Sequence, residues 1–220
     1  MMRRLRLTTP AGDRVTGRLV TPAAAGPLGI VLAHGAGAGQ DHPWMTAMRD
    51  ALAAGGVTVL TFNYPYTEAG RKAPDRLERL LATHLAAAER IRVYVDGLVL
   101  AGKSMGGRIG SHLAAGGTVT VAGLVYFGYP LVPLGRGQPR DTEHLDRIAA
   151  PQLFCAGTRD RLSPLELVRP LVARLPQASL VVVEGGDHSF HVPQGVGRSQ
   201  QEVLVELAAQ TVAWIGGLGR

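Results

Sequence analysis

The chain has 220 residues, 46% of them hydrophobic, and a mean hydropathy of +0.11, enough for one sizeable core and short for two domains. Its net charge of +6 and pI of 10.1 would suit nucleic acid, but the arginines are scattered from Arg3 to Arg220, Lys72 and Lys103 are the only lysines, and no basic run is interleaved with aromatics, so no nucleic-acid partner is expected. No apolar run approaches the ~20 residues of a membrane span, the basic start Met1-Met2-Arg3-Arg4 lacks the apolar core of a signal peptide, and Cys155 is the single cysteine, so the reading is a cytoplasmic protein with no membrane partner and no internal disulfide.

Apolar runs alternate with helical patterns, which predicts an α/β fold around a mostly parallel, doubly wound sheet. Residues 3–8 and 14–20 flank the turn signal Pro10-Ala11-Gly12-Asp13 and predict an N-terminal antiparallel hairpin. Residues 28–33 read as a buried strand, followed directly by His34-Gly35-Ala36-Gly37-Ala38-Gly39. A helix is predicted over 43–54, with Asp41 or His42 near its start, then a strand over 57–62 and a loop over 63–74. Residues 75–92 form a long amphipathic helix with Leu77, Leu80, Leu81, Leu85, Ala88 and Ile91 on one face. A central strand over 97–101 leads into a helix over 108–115. Strands follow over 119–127 and 151–156, a helix over 164–174, the last strand over 179–183 and a closing helix over 200–215. Residues 128–150 are rich in Pro, Gly and charge, and too few for a large lid. Residues 1–220 read as a single domain without repeats.

Gly102-Lys103-Ser104-Met105-Gly106 lies between that central strand and its helix. A serine on a sharp strand-to-helix turn needs small neighbours, because a side chain at either glycine would collide with the adjoining strand or helix. The turn lifts the hydroxyl out of the sheet at a helix N-terminus, where free N–H groups favour negative charge. A serine hydroxyl is a weak nucleophile and needs a base, which in turn needs an orienting carboxylate. Such groups collect at the C-terminal ends of parallel strands. Two further strands end in suitable loops, Gly157-Thr158-Arg159-Asp160 and Gly185-Gly186-Asp187-His188. Ser104, Asp160 and His188 are therefore the candidate nucleophile, orienting acid and base, in the chain order of the α/β-hydrolase arrangement. His191 is a rival base that flanks the site, and Asp187 a rival acid that shapes the turn. His84, His112 and His144 fall on predicted helices as ordinary surface or interface residues. Acyl transfer also needs backbone N–H donors for the developing oxyanion; they are expected from Ala36 or Gly37 and from Met105. Gly97-Leu98-Val99-Leu100-Ala101-Gly102-Lys103-Ser104 matches the phosphate-loop pattern formally, but its middle is apolar and strand-like where a phosphate cradle needs an exposed loop. No His/Cys cluster has metal-ligand spacing; no cofactor or metal is expected.

With these residues placed, the chain resembles the α/β-hydrolase superfamily and, within it, the KANL3/Tex30-like group related to dienelactone hydrolases. The resemblance is carried by His34-Gly35-Ala36-Gly37, Phe62-Asn63-Tyr64-Pro65-Tyr66, Gly102-Lys103-Ser104-Met105-Gly106-Gly107-Arg108, Gly128-Tyr129-Pro130-Leu131, Gly157-Thr158-Arg159-Asp160 and Asp187-His188-Ser189-Phe190. Dienelactone hydrolases use a cysteine nucleophile where this chain has Ser104, so their activity does not carry over. The residues imply a serine hydrolase acting on a small-molecule ester or similar acyl substrate. One branch of the group contains subunits of chromatin-associated complexes, so a non-catalytic interaction module is the alternative. The substrate cleft is expected to be open and shallow, walled by residues 63–74 and 129–140. His34, Tyr64, Tyr66, Tyr129 and Leu131 are expected on its walls, with Arg71, Lys72 and Arg136 able to attract acidic groups.

Overall fold

The computed structural model describes residues 1–133, 135 and 137–218; Arg136 lies outside the described residues. The strands are β1 (Met2–Thr8), β2 (Arg14–Val20), β3 (Leu28–Ala33), β4 (Thr58–Phe62), β5 (Gly97–Lys103), β6 (Gly123–Phe127), β7 (Gln152–Gly157) and β8 (Ala178–Val183). They form one sheet in the order β1-β2-β4-β3-β5-β6-β7-β8. β1 and β2 pair antiparallel, as does β2 with β4, and all pairs from β4 to β8 are parallel. The helices are α1 (Pro43–Ala54), α2 (Pro65–Glu68), α3 (Leu77–Ile91), α4 (Met105–Ala115), α5 (Leu165–Arg174) and α6 (Gln200–Ile215).

The central strands β3 and β5 to β7 are buried along nearly all their length, which is why they read as continuous apolar runs rather than alternating ones. Alternate residues still divide between two cores. Val31 and Leu100 join Leu80, Ala87, Ile109 and Val168 on the α3/α4/α5 face. Ile30, Leu32, Val99 and Ala101 join Met48, Leu52, Leu204 and Leu207 on the α1/α6 face. Helix starts follow local chemistry: His42 Nδ1 accepts the Trp44 N–H ahead of Pro43, and Ser199 and Glu202 form a reciprocal capping box before α6.

Several boundaries differ from expectation, and helix α4 starts at Met105 rather than at Arg108. The 63–74 stretch contains the short helix α2. Helix α3 starts at Leu77 because Asp75 is engaged elsewhere: its carboxylate accepts the Tyr66 N–H and pairs with Arg71 and Arg79. β6 starts at Gly123, not at Val119. Val119 is instead buried beside the α3/α4 core.

The topology fixes where a ligand can enter. β3 connects through α1 to β4 on one side, whereas β5 connects through α4 to β6 on the other. The loops leaving the adjacent strands β3 and β5 therefore diverge, opening a crevice at the carboxyl ends of the strands. Closure beneath it depends on missing side chains. A Cβ at Gly102 would lie 2.2 Å from the Gly107 nitrogen, and one at Gly106 would lie 2.4 Å from the Ala33 carbonyl oxygen. Both obstacles are backbone, which cannot rotate away. Gly102→Ala and Gly106→Ala should each cost about 3 kcal/mol or more, at the top of the overpacking range. Gly195→Ala, whose Cβ meets nothing within 4 Å, should stay within ~0.5 kcal/mol. Urea unfolding of the three variants checks the ranking.

Candidate active site

Ser104 sits between β5 and α4 with φ 50° and ψ −115°. A non-glycine residue in this region stores roughly 1–3 kcal/mol of strain and persists only where its surroundings dictate it. Here the Ser104 N–H donates to the Phe127 carbonyl of β6 at 3.0 Å, and its own carbonyl accepts the Arg108 N–H at 3.2 Å.

Two loops bring the other groups. The His188 Nε2 lies 2.9 Å from Ser104 Oγ, and its Nδ1 lies 2.7 Å from Asp160 Oδ2. An ionised carboxylate only accepts, so Nδ1 carries the hydrogen and Nε2 is left to accept from the serine hydroxyl. Asp160 is 3% exposed. Its other oxygen accepts the N–H groups of Leu162 at 2.8 Å and Ser163 at 3.0 Å, so the buried carboxylate is fully partnered. The acid and base loops are stapled together: Arg159 N–H donates to the Gly186 carbonyl, and Thr158 Oγ1 accepts the Gly185 N–H. A Cβ at Gly157 would fall 2.1 Å from the Gly186 oxygen, so the loops meet backbone to backbone. Gly128, with φ +70°, passes beneath the pair; a Cβ there would stand 3.2 Å from both Asp160 Oδ2 and His188 Nδ1. Asp187 turns away from the imidazole and accepts the Ser189 and His191 N–H groups, which shapes the turn. His191 is exposed and bonds Gln200.

The loop after β3 crosses the site. A Cβ at Gly35 would lie 3.6 Å from the Ser104 Cβ, so this loop runs in contact with the serine. His34 is fully buried and holds the loop rather than lining a pocket: its Nδ1–H donates to the Gly35 carbonyl at 2.8 Å, and its Nε2 accepts the Tyr64 N–H at 3.2 Å. Tyr64 and Tyr66 are also fully buried, stacked on each other and edge-on to His34. The Tyr66 hydroxyl donates to the Gly35 carbonyl at 3.4 Å. Gly37 lies in a separate groove with Arg71 and Lys72. Ala36 and Met105 do line the space around Ser104.

Two cavities flank the serine. One, of about 380 Å³, runs between Pro74, Leu77, Leu80, Pro130, Val132 and Pro133, with Arg108 and Arg140 at its border. The other, of about 290 Å³, is lined by His42, Trp44, Met45, Lys103, Leu162, His188 and Ser189. The 63–74 and 129–140 segments thus contribute walls, but through residues that the sequence did not single out. Tyr129 and Leu131 are 2% and 3% exposed. They lie in the core because apolar side chains flanking Pro130 have a buried face available; the Tyr129 hydroxyl bonds Ser111 and His144. Arg71 pairs with Asp75 and lines the groove that holds Gly37 and Lys72. Trp44 was legible only as a residue in the first turn of a predicted helix, and Lys103 and Arg108 only as members of the motif read for Ser104.

His84 and His144 are not surface residues. Both are buried, as is His34. Burial pushes His84 down to about 3, and His34 and His144 down to about 4. All three fold neutral, so the unfolded chain binds more protons in acid. Their contribution is complete above the unfolded value near pH ~6.5 and is lost as pH falls towards 4, each adding up to ~1.4 kcal/mol per pH unit. Urea unfolding between pH 7 and 4 should show this slope, and His84→Gln should make it shallower by about one proton.

Residues 27–216 match the family model for an alpha/beta hydrolase domain. Solved structures share the fold. An alpha-beta serine hydrolase homologue from Coxiella burnetii is 20% identical with TM-score 0.76, covering 95% of this chain and 96% of its own. An α/β serine hydrolase without a lid from Xanthomonas campestris is 22% identical with TM-score 0.75, covering 96% and 94%. A dienelactone hydrolase from Anabaena variabilis is 19% identical with TM-score 0.78, covering 100% and 99%.

Proposed function

The chain belongs to the alpha/beta hydrolase domain family, and we propose that it is a serine hydrolase cleaving a small ester or similarly activated acyl bond. The observation that carries this reading is the continuous hydrogen-bond relay from Ser104 Oγ through His188 to Asp160, at 2.9 and 2.7 Å, built on a strained strand-to-helix turn. An interaction module has no use for all three groups in bonding geometry.

In this mechanism Ser104 Oγ attacks the acyl carbon as His188 Nε2 takes its proton. Asp160 holds the imidazole in the correct tautomer and stabilises its cationic form. The carbonyl oxygen gathers charge beside the N–H groups of Ala36 and Met105, at the N-terminus of α4. His188 then protonates the leaving group, and water reverses the sequence to release the acid. The two modest cavities at Ser104 favour small acyl and leaving groups. Among the described residues no helix is long and apolar enough to cross a membrane, and the proposed setting is the cytoplasm. Within the family we propose a relation to the KANL3/Tex30-like group, which rests on the resemblance of Gly102-Lys103-Ser104-Met105-Gly106-Gly107-Arg108.

A fluorophosphonate probe should label Ser104 in the folded protein and fail to label Ser104→Ala; an unlabelled, folded wild type would overturn the reading. Asp160→Asn isolates the acid. The asparagine keeps one oxygen for the Leu162 and Ser163 amides but presents an NH₂ to His188, imposing the wrong tautomer. Its kcat should fall by about 10³–10⁴-fold with the thermal midpoint nearly retained. Asp187→Asn should be far milder.

A further inference from the structure

Lys103 occupies an unusual place. It is the last residue of β5, immediately before Ser104, and is 8% exposed. It lines the 290 Å³ cavity together with Ser104, His188, Trp44 and Met45. Its ammonium stands 6.0 Å from the centroid of the Trp44 ring, a cation–π contact at the outer limit of that interaction. Among the described residues no carboxylate lies within ion-pairing distance of it. Asp160 and Asp187 favour its charge from farther away, but burial outweighs them and pushes the amine down to about 8. Both carboxylates are already engaged, Asp160 by His188, Leu162 and Ser163, and Asp187 by Ser189 and His191. A largely buried cation set against an aromatic ring is costly, and such a charge is ordinarily paired with a carboxylate. The residue choice adds a second point. Of 23 basic residues only two are lysines, yet a lysine stands here. A guanidinium would bring five donors into a space with few acceptors, whereas an ammonium is a compact point charge.

We propose that Lys103 is the specificity-determining residue of this site: its ammonium receives a carboxylate at the end of a short acyl chain, so that the preferred substrates are half-esters or half-thioesters of small dicarboxylic acids. This rests on the serine-hydrolase reading above. The acyl chain lies along Trp44 and Met45, its scissile carbonyl at Ser104 Oγ and its carboxylate at Lys103. One monovalent cation matches one carboxylate; a phosphate dianion would leave a buried surplus charge. The carboxylate makes and breaks no bond. Ser104 attacks, the alcohol or thiol leaves with the proton from His188, and water releases the dicarboxylic acid.

The test compares monoethyl succinate and monoethyl glutarate with ethyl butyrate and ethyl valerate, by titration of released acid at pH 7. The wild type should prefer a half-ester over its neutral counterpart by about ten-fold or more in kcat/KM. Lys103→Met and Lys103→Gln should lose or invert that ratio, whereas Arg108→Met, which alters the opposite cavity, should keep it. Free glutarate should slow fluorophosphonate labelling of the wild type, a readout that needs no variant. Turnover of neutral esters with no half-ester preference and no glutarate protection would overturn the assignment of Lys103 while leaving the hydrolase standing. So would loss of the preference in Arg108→Met alone. Absence of both turnover and labelling would instead overturn the hydrolase reading itself.

Discussion

Everything in this site depends on three backbones meeting without side chains between them. β5 ends against its own helix at Gly102 and Gly107, and the helix begins against β3 at Gly106 and Ala33. In that space the chain has one way to turn, and it places Ser104 at φ 50°. The strain is tolerable because β5 is hydrogen-bonded to β3 on one side and β6 on the other, so relaxing one residue would break ladders on both. The serine's exposure to a base and the α4 N-terminus both follow from that packing.

The same device recurs where the acid and base arrive. Gly157 lets the loop after β7 touch the Gly186 backbone of the loop after β8, and Gly128 lets the chain pass under the imidazole–carboxylate pair. The buried Asp160 carboxylate then costs little, since every bond it needs is supplied by His188, Leu162 and Ser163. A relay fixed in this way need not reorganise when charge develops. Glycine at these positions serves distance between backbones more than flexibility.

The strand pattern and the convergence of Ser104, Asp160 and His188 were legible because each rests on local signals: apolar runs for central strands, turn chemistry at their ends, and a chain order that a parallel sheet converts into proximity. The walls were not legible. Tyr64, Tyr66 and Tyr129 follow strands and sit next to prolines, which is equally a description of a pocket rim and of a buried corner; only tertiary packing separates the two. Trp44 and Lys103 failed to stand out for the converse reason. One sits in the first turn of an amphipathic helix and the other within a motif read for its serine, and neither position says which cavity it reaches. His84 and His144 looked like helix-surface residues because a lone histidine carries no periodic signal. Both are buried, with hydrogen bonds to Tyr64, and to Ser111 and Tyr129.

The misread tyrosines have a role one layer below the chemistry. The loop after β3, made of glycine and alanine and proposed to hold the oxyanion, has almost no side chains with which to fix itself in place. In this protein its rigidity is borrowed from beneath. His34 clamps the Gly35 carbonyl and the Tyr64 amide, and the Tyr66 hydroxyl bonds the Gly35 carbonyl. Tyr66 is itself anchored through its N–H to Asp75, which two arginines hold. A chain of contacts therefore runs from a partly exposed ion-pair cluster at the start of α3 to the backbone beside Ser104. A loop poor in side chains keeps its geometry because the aromatic core, rather than the loop, carries the hydrogen bonds that define it.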